Sequence, residues 1–190
     1  MFAPKLVTAP DTAPVTLAEA KLHLNVTHTD EDTLITALIL AATQHLDGYT
    51  GILGRCLITQ TWEQEFKGVS ATHNALRLPL APAISVTSIA YTDSSGAAQT
   101  LAASAFEILV DDLGPYVSVI DIPDTDSGRI KVTYTAGYGD AAAVPEALKA
   151  AIRLHIGSLY EMREREVVGA SLSESMIYCD LIAPYRRWQV

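Results

Sequence analysis

Five histidines, two cysteines and a few closely spaced carboxylates are the side chains of this 190-residue chain whose types could do chemistry. His23 and His28 lie five apart across the end of a helix, which is poor geometry for a shared metal. His45 and His155 fall on apolar helices and read as core or interface groups, and His73 stands alone. No His, Cys or Asp cluster has ligand spacing, so no metal is expected. Cys56 and Cys179 are far apart and lack a CxxC arrangement; they read as free, buried thiols. Glu63 and Glu65 recur on the solvent side of a strand, and Asp111-Asp112-Leu113-Gly114 reads as a turn. A catalytic carboxylate pair needs burial to split its pKa values, and neither setting supplies it. No serine occupies a G-x-S-x-G elbow. Gly137-Tyr138-Gly139-Asp140 lacks the Walker lysine and the G-x-G-x-x-G order, so it reads as a strand-to-helix connection. The expectation is a protein that is not an enzyme and holds no cofactor.

The motif Tyr185-Arg186-Arg187-Trp188 has a different character. Tyr, Arg and Trp dominate interface energetics, so this end of the chain reads as a contact surface, or as a strap packed on its own domain. Nucleic-acid binding is disfavoured by charge. The chain has 13 basic and 22 acidic residues and a net charge of −9. Before Pro145 there are 7 basic and 16 acidic residues, so the whole excess lies there and the remainder is neutral. An acidic body repels phosphate, although it suits a wall that DNA slides past. There is no signal-peptide core and no apolar run of membrane-spanning length, so synthesis in the cytoplasm is expected, with no membrane partner.

The elements that must carry these residues follow from periodicity. Ala3 to Pro14, with three prolines, reads as an extended arm. Thr16-Leu17-Ala18-Glu19 fits a capping box opening a short helix that ends near Asn25. A second helix starts at Asp30-Glu31-Asp32, carries Leu34, Ile35, Leu38, Ala42, His45, Leu46 and Tyr49, and stops at Gly48 and Gly51. Between residues 56 and 66 the period becomes two, with Cys56, Ile58, Gln60, Trp62, Gln64 and Phe66 on one face. Strands are expected near 75–78, 84–92, 106–110, 116–120 and 129–136, with turns at Asp93–Gly96 and Asp124–Gly128. Pro145 opens a long helix whose apolar residues Leu148, Ala151, Ile152, Ile156, Leu159 and Tyr160 are flanked by Ala147, Ala150 and Leu154, and the charged run Glu161–Glu166 ends it. A short helix is expected within 171–181, stopped by Pro184, which favours an extended approach of the last residues.

The fold class is therefore α+β: a small helical bundle, two N-terminal helices plus a long C-terminal one, with an inserted antiparallel β-sandwich or barrel and extended terminal arms. The expected division is 1–53 for the N-terminal arm and helices, 54–140 for the β-domain, 141–166 for the long helix and 167–190 for the C-terminal arm. A helix apolar almost all round is usually buried against several neighbours, so Leu148, Ile152, Ile156, Leu159 and Tyr160 are candidate subunit-interface residues.

In order along the chain, Pro14-Val15-Thr16-Leu17-Ala18-Glu19-Ala20-Lys21-Leu22-His23-Leu24, Asp30–Ile35, Tyr49-Thr50-Gly51, Thr59-Gln60-Thr61-Trp62, Tyr134–Gly139, Val144–Ile152 and Leu181–Trp188 resemble the head–tail connector, or adaptor, family of long-tailed phages and gene transfer agents. The resemblance spans nearly the whole chain and implies a structural role in the particle, at the head–tail interface. It implies a ring of probably twelve subunits beneath the portal protein, continuing the DNA channel without specific binding and offering a surface to the next tail component, a stopper or tail terminator. It also implies that the C-terminal segment reaches the portal, with Leu181, Pro184, Tyr185, Arg186, Arg187 and Trp188 as candidate portal-interface residues. The competing readings are a tail-completion or stopper subunit and a β-rich glycan- or protein-binding module. Exposure of Trp62 would favour the binding module.

Overall fold

The structure, a computed structural model, describes residues 2–67, 75–120, 125–162 and 176–187, with the backbone alone for 125–128. His73, Arg163–Glu166, the start of the expected helix over 171–181 and Trp188 lie outside the described residues. The chain forms two compact units, one built from residues 1–10 and 59–138 and the other from 11–58 and 139–190.

The first unit is built of β-strands, with one 3-10 turn over Ala103–Ala105. Strands β1 (Lys5–Thr8), β2 (Gln60–Phe66), β8 (Thr125–Ala136), β4 (Ala83–Asp93) and β5 (Ala98–Thr100) lie in that order in one antiparallel sheet. Strands β3 (Ala75–Arg77), β7 (Gly114–Val119) and β6 (Phe106–Asp111) form a second. The alternation read between residues 60 and 66 is present: Gln60, Trp62, Gln64 and Phe66 are buried while the residues between them are half-exposed. Their partners on β8 are Ala136, Tyr134, Val132 and Ile130, all fully buried. Two glutamines in that face need partners, since a buried amide left unpaired is costly. Gln60 Oε1 accepts from Trp62 Nε1 at 3.2 Å, and Gln64 Nε2 donates to the Phe2 and Glu65 carbonyls at 2.6 and 2.9 Å.

The first residues, read as an extended arm, are extended and pair as β1 with β2, Leu6 opposite Trp62. Two expectations are corrected in this unit. The strand read from Cys56 begins only at Gln60. Backbone 125–128, read as a turn, continues β8, and a register shift between Tyr91 and Asp93 carries the pairing on to Thr125. The Asp93 turn is present: its carboxylate accepts from Ser95 N and Ala97 N and from the side chains of Ser95 and Gln99, which together hold its pKa down at about 2.

The second unit is helical. Helix α1 (Leu17–Leu24) starts at the capping box read in the sequence. Glu19 N donates to Thr16 Oγ1 at 3.2 Å. Thr16 N and Thr16 Oγ1 each donate to Glu19 Oε2 at 2.7 Å, and these two bonds lower the Glu19 pKa. Helix α2 (Asp32–Leu46) buries Ile35, Ile39, Ala42 and Leu46, while Leu34 and His45 are exposed, so its inward stripe is turned relative to the expected one. Helix α3 (Glu146–Glu161) buries Leu148, Ala151, Ile152 and Ile156. Helix α4 (Met176–Ile182) is followed by a 3-10 turn over Ala183–Tyr185. Pro184 thus sits in a tight helical turn rather than an extended approach, because its fixed φ suits the first positions of a helix.

Two glycines of this unit respond oppositely to a methyl group. A Cβ on Gly51 would collide with the Leu46 and Asp47 backbone carbonyls, which cannot move aside. On Gly157, in the middle of α3, it would meet His23 Nε2 at 3.5 Å, an ordinary contact. Gly51→Ala is expected to destabilise the protein by roughly 1–3 kcal/mol. Gly157→Ala is expected to stabilise it by about 0.5–1 kcal/mol, since alanine gives up less freedom in a helix. Urea unfolding of the two variants beside the parent checks both signs.

Candidate docking surface

The loop after α2 determines where the end of the chain sits. Gly48 N donates to the Arg55 carbonyl at 2.7 Å and Ile52 N to the His45 carbonyl at 2.9 Å, folding residues 47–55 back on the helix end. Gly48 and Gly54 take positive φ there, 77° and 61°, which glycine adopts without strain. Asp47 Oδ1 accepts from Leu57 N at 2.6 Å and closes the loop. The segment after α4 is fastened to it through its own backbone groups: Arg187 N donates to the Leu53 carbonyl at 2.9 Å, and the Arg55 side chain donates from Nε to the Tyr185 carbonyl at 2.5 Å. A cleft of about 310 Å³ lies between them, lined by Tyr49, Thr50, Gly51, Ile52, Gly54, Arg186 and Arg187.

The candidate portal-interface residues are therefore brought together on a folded scaffold. Pro184 and Arg186 are exposed, Leu181, Tyr185 and Arg187 half-buried, and the buried anchor beside them is Ile182. Met176 and Ile177 of α4 are exposed, 81% and 66%, and extend the same segment with apolar surface. Trp188 lies outside the described residues.

The five candidate subunit-interface residues divide. Leu148, Ile152 and Ile156 have no exposed surface in the subunit itself, so they have none to offer a neighbour. What they hold is the helical core. Leu159 and Tyr160 are half-buried, and the Tyr160 hydroxyl bonds the Glu31 carboxylate at the start of α2. The exposed large apolar side chains of this unit stand elsewhere: Leu22 on α1, 80% exposed, Leu34 and Leu40 on α2, and Met162 after α3.

Among the described residues, no group of three or more His, Cys, Asp or Glu could hold a metal. Glu63 is paired with Lys131 across the strands at 3.3 Å. Asp111 receives both terminal nitrogens of Arg77 at 2.6 and 2.5 Å, which, with the Leu113 amide, holds its pKa down at about 2. Asp140 caps the turn before α3 by accepting from Ala142 N and Ala143 N at 3.0 and 3.1 Å. These carboxylates organise turns and strand pairs. Among the described residues no helix is long and apolar enough to cross a membrane. Trp62 is 8% exposed, so it is not an exposed aromatic platform of the kind that would favour a glycan-binding sheet.

With this geometry in hand, the chain shares its fold with proteins of particle necks. It matches a chain of a structure described as the neck of an empty gene transfer agent particle computed with C6 symmetry, with a TM-score of 0.80 at 24% identity. It also matches a chain of the virion of a native gene transfer agent particle, 0.79 at 22%, and one of a native neck computed with C12 symmetry, 0.70 at 22%. All of this chain and 97% of each of those chains are covered. Residues 14–100, which take in α1, α2, the loop after it and strands β2–β5, match the family model of the phage gp6-like head–tail connector protein. No curated protein matches it.

One ring cluster fastens α4 to the bundle. His155 on α3 meets the edge of His45 on α2 at 4.8 Å between centroids and of Tyr178 on α4 at 5.7 Å. The Tyr178 hydroxyl lies 3.5 Å from His155 Nδ1. Burial, and then the neighbouring His45, lower the His155 pKa. The unfolded chain therefore takes up a proton near the ordinary histidine value of about 6.5, while the folded chain resists it. Stability should fall as pH drops below that value and be unaffected by this group above it. Urea unfolding at pH 7.5 and 5.5 should show a larger loss in the parent than in His155→Gln.

Proposed function

We propose that the protein is a structural head–tail adaptor: a subunit of a ring, twelve copies around, that sits between the portal protein and the tail of a phage or gene transfer agent particle. The observation that carries this reading is the match of residues 14–100 to the head–tail connector family. The shared fold with neck proteins of particles computed with C6 and C12 symmetry supports a rotationally repeated subunit. A ring needs two different surfaces on each copy, because head-to-tail contacts close only when one patch meets another. Exposed Leu22, Leu34 and Leu40, with half-buried Leu159 and Tyr160, supply apolar surface of the helical unit for those contacts.

In this reading the subunit does no chemistry. The acid excess before Pro145 gives the DNA passage a wall that repels phosphate, so the genome slides without being held. The C-terminal segment meets the portal through Met176, Ile177, Leu181, Pro184, Tyr185, Arg186, Arg187 and Trp188. The opposite side of the ring receives the next tail component, a stopper or tail terminator. The subunit is made in the bacterial cytoplasm and ends in the particle.

Electron microscopy of the purified protein mixed with its portal tests the placement: a ring seated on the portal is expected, and a protein that adds only beneath an existing ring would be a stopper instead. The C-terminal contact has its own test. Its attachment to the subunit runs through the Tyr185 carbonyl and the Arg187 amide, so side chains can be removed while those bonds stay. Tyr185→Ala/Arg186→Ala is expected to keep the parent's melting temperature within a few degrees and to lose joining to filled heads, as removal of an interface anchor costs on the order of 2 kcal/mol or more. Undiminished joining by this variant would remove the segment from the portal contact.

A further inference from the structure

The five-stranded sheet ends in two open edges. At one end β1 has all four residues exposed, among them the apolar Leu6 and Val7. At the other, all three residues of β5 are exposed, and Ala98-Gln99-Thr100 carries neither charge nor proline. Among the described residues no strand covers the outer side of either. An uncovered strand presents unpaired N–H and C=O groups and is a ready template for another chain; natural proteins usually guard such edges with charge, proline or a bulge. The β1 edge has a single lysine, Lys5, and a register shift between Leu6 and Thr8, yet leaves two apolar side chains there. The β5 edge is protected only by its shortness.

The two edges also match in direction. Four antiparallel steps separate β1 from β5, so the two strands run the same way. A second copy set beside the first and turned by a small angle would bring its β1 against the first copy's β5 as a parallel pair. We infer that β5 of each subunit pairs with β1 of the next, so that the sheets continue from copy to copy around the ring. The inference rests on the adaptor reading, which supplies the repeated copies. It assigns to the ring the two different, mutually complementary surfaces that a head-to-tail interface requires. The occupant of each edge is a second copy of this chain, because one sheet carries both halves of the contact.

The length of the edges sets the strength. A pair three or four residues long forms few hydrogen bonds, and parallel pairing is the slightly weaker kind. One such contact does not hold two subunits in free solution. In a closed ring every copy is held on both sides, and the contacts act together. The short edges thus keep the free subunit from polymerising while leaving pairing available on the portal.

Cross-linking in assembled rings tests this. Val7→Cys and Gln99→Cys place thiols on the two exposed edges, in a Cys179→Ser background; the remaining Cys56 is buried. Rings on the portal are verified by microscopy and treated with a short bis-maleimide. The double variant should give a ladder of covalent multimers on a denaturing gel. Mixed rings of the two single variants should give dimers and nothing larger, and either single variant alone should give neither. Verified rings without a ladder overturn edge pairing and leave the adaptor reading standing. Dimers from either single variant alone overturn the head-to-tail arrangement of the edges. If the parent protein forms no ring on the portal, the adaptor reading fails and the inference fails with it.

Discussion

Burial of one face of α3 is the interaction on which the helical unit depends. Leu148, Ile152 and Ile156 recur four apart, lie on one side of the helix and have no exposed surface. Fully burying side chains of this size contributes about 1.5–3 kcal/mol each. The polar neighbours of the same helix are then placed for specific work. His155 reaches the rings of His45 and Tyr178, and Tyr160 bonds Glu31. These contacts fasten α2 and α4 to α3. Lys149 can be buried beside this core because Glu146, one turn earlier, receives its ammonium at 2.9 Å.

Local chemistry was the part of this protein most readable from its residues. The capping box at Thr16 and Glu19 is a reciprocal bond between groups three apart, so sequence spacing is enough to find it. Alternation along Gln60–Phe66 reports a strand half-buried on one face for the same reason. What could not be read is which apolar surface each element gives to its own subunit and which it leaves over. Helix α3 looked apolar on nearly every side, and its stripe goes wholly inward at Leu148, Ile152 and Ile156. Helix α2 turns Ile39 inward and leaves Leu34 and Leu40 out. The pairing of β1 with β2, some fifty residues later, is set by neither local spacing nor composition.

The candidate docking surface was half readable. Tyr185-Arg186-Arg187 stands out by residue type, but its mounting does not, because the bonds that hold it use the segment's backbone groups and not its side chains. Arg187 N reaches Leu53 and Arg55 reaches the Tyr185 carbonyl, partners over a hundred residues apart. Such contacts leave no signature in side-chain pattern. Pro184 illustrates the same limit. Its fixed φ fits an extended strap and the start of a helical turn equally well, and here it stands in the 3-10 turn Ala183–Tyr185.

The division into units has a consequence during synthesis. Helices α1 and α2 are complete by Leu46, whereas α3 begins at Glu146, a hundred residues later. At bacterial and eukaryotic translation rates of about 5–20 residues per second, Ile35, Ile39, Ala42 and Leu46 wait on the order of 5–20 s for the face that covers them. The strand unit, whose pieces lie within residues 1–10 and 59–138, is complete before that partner emerges. The nascent chain therefore carries a finished sheet and an unfinished bundle, whose apolar helix faces lack their α3 partner until it is made.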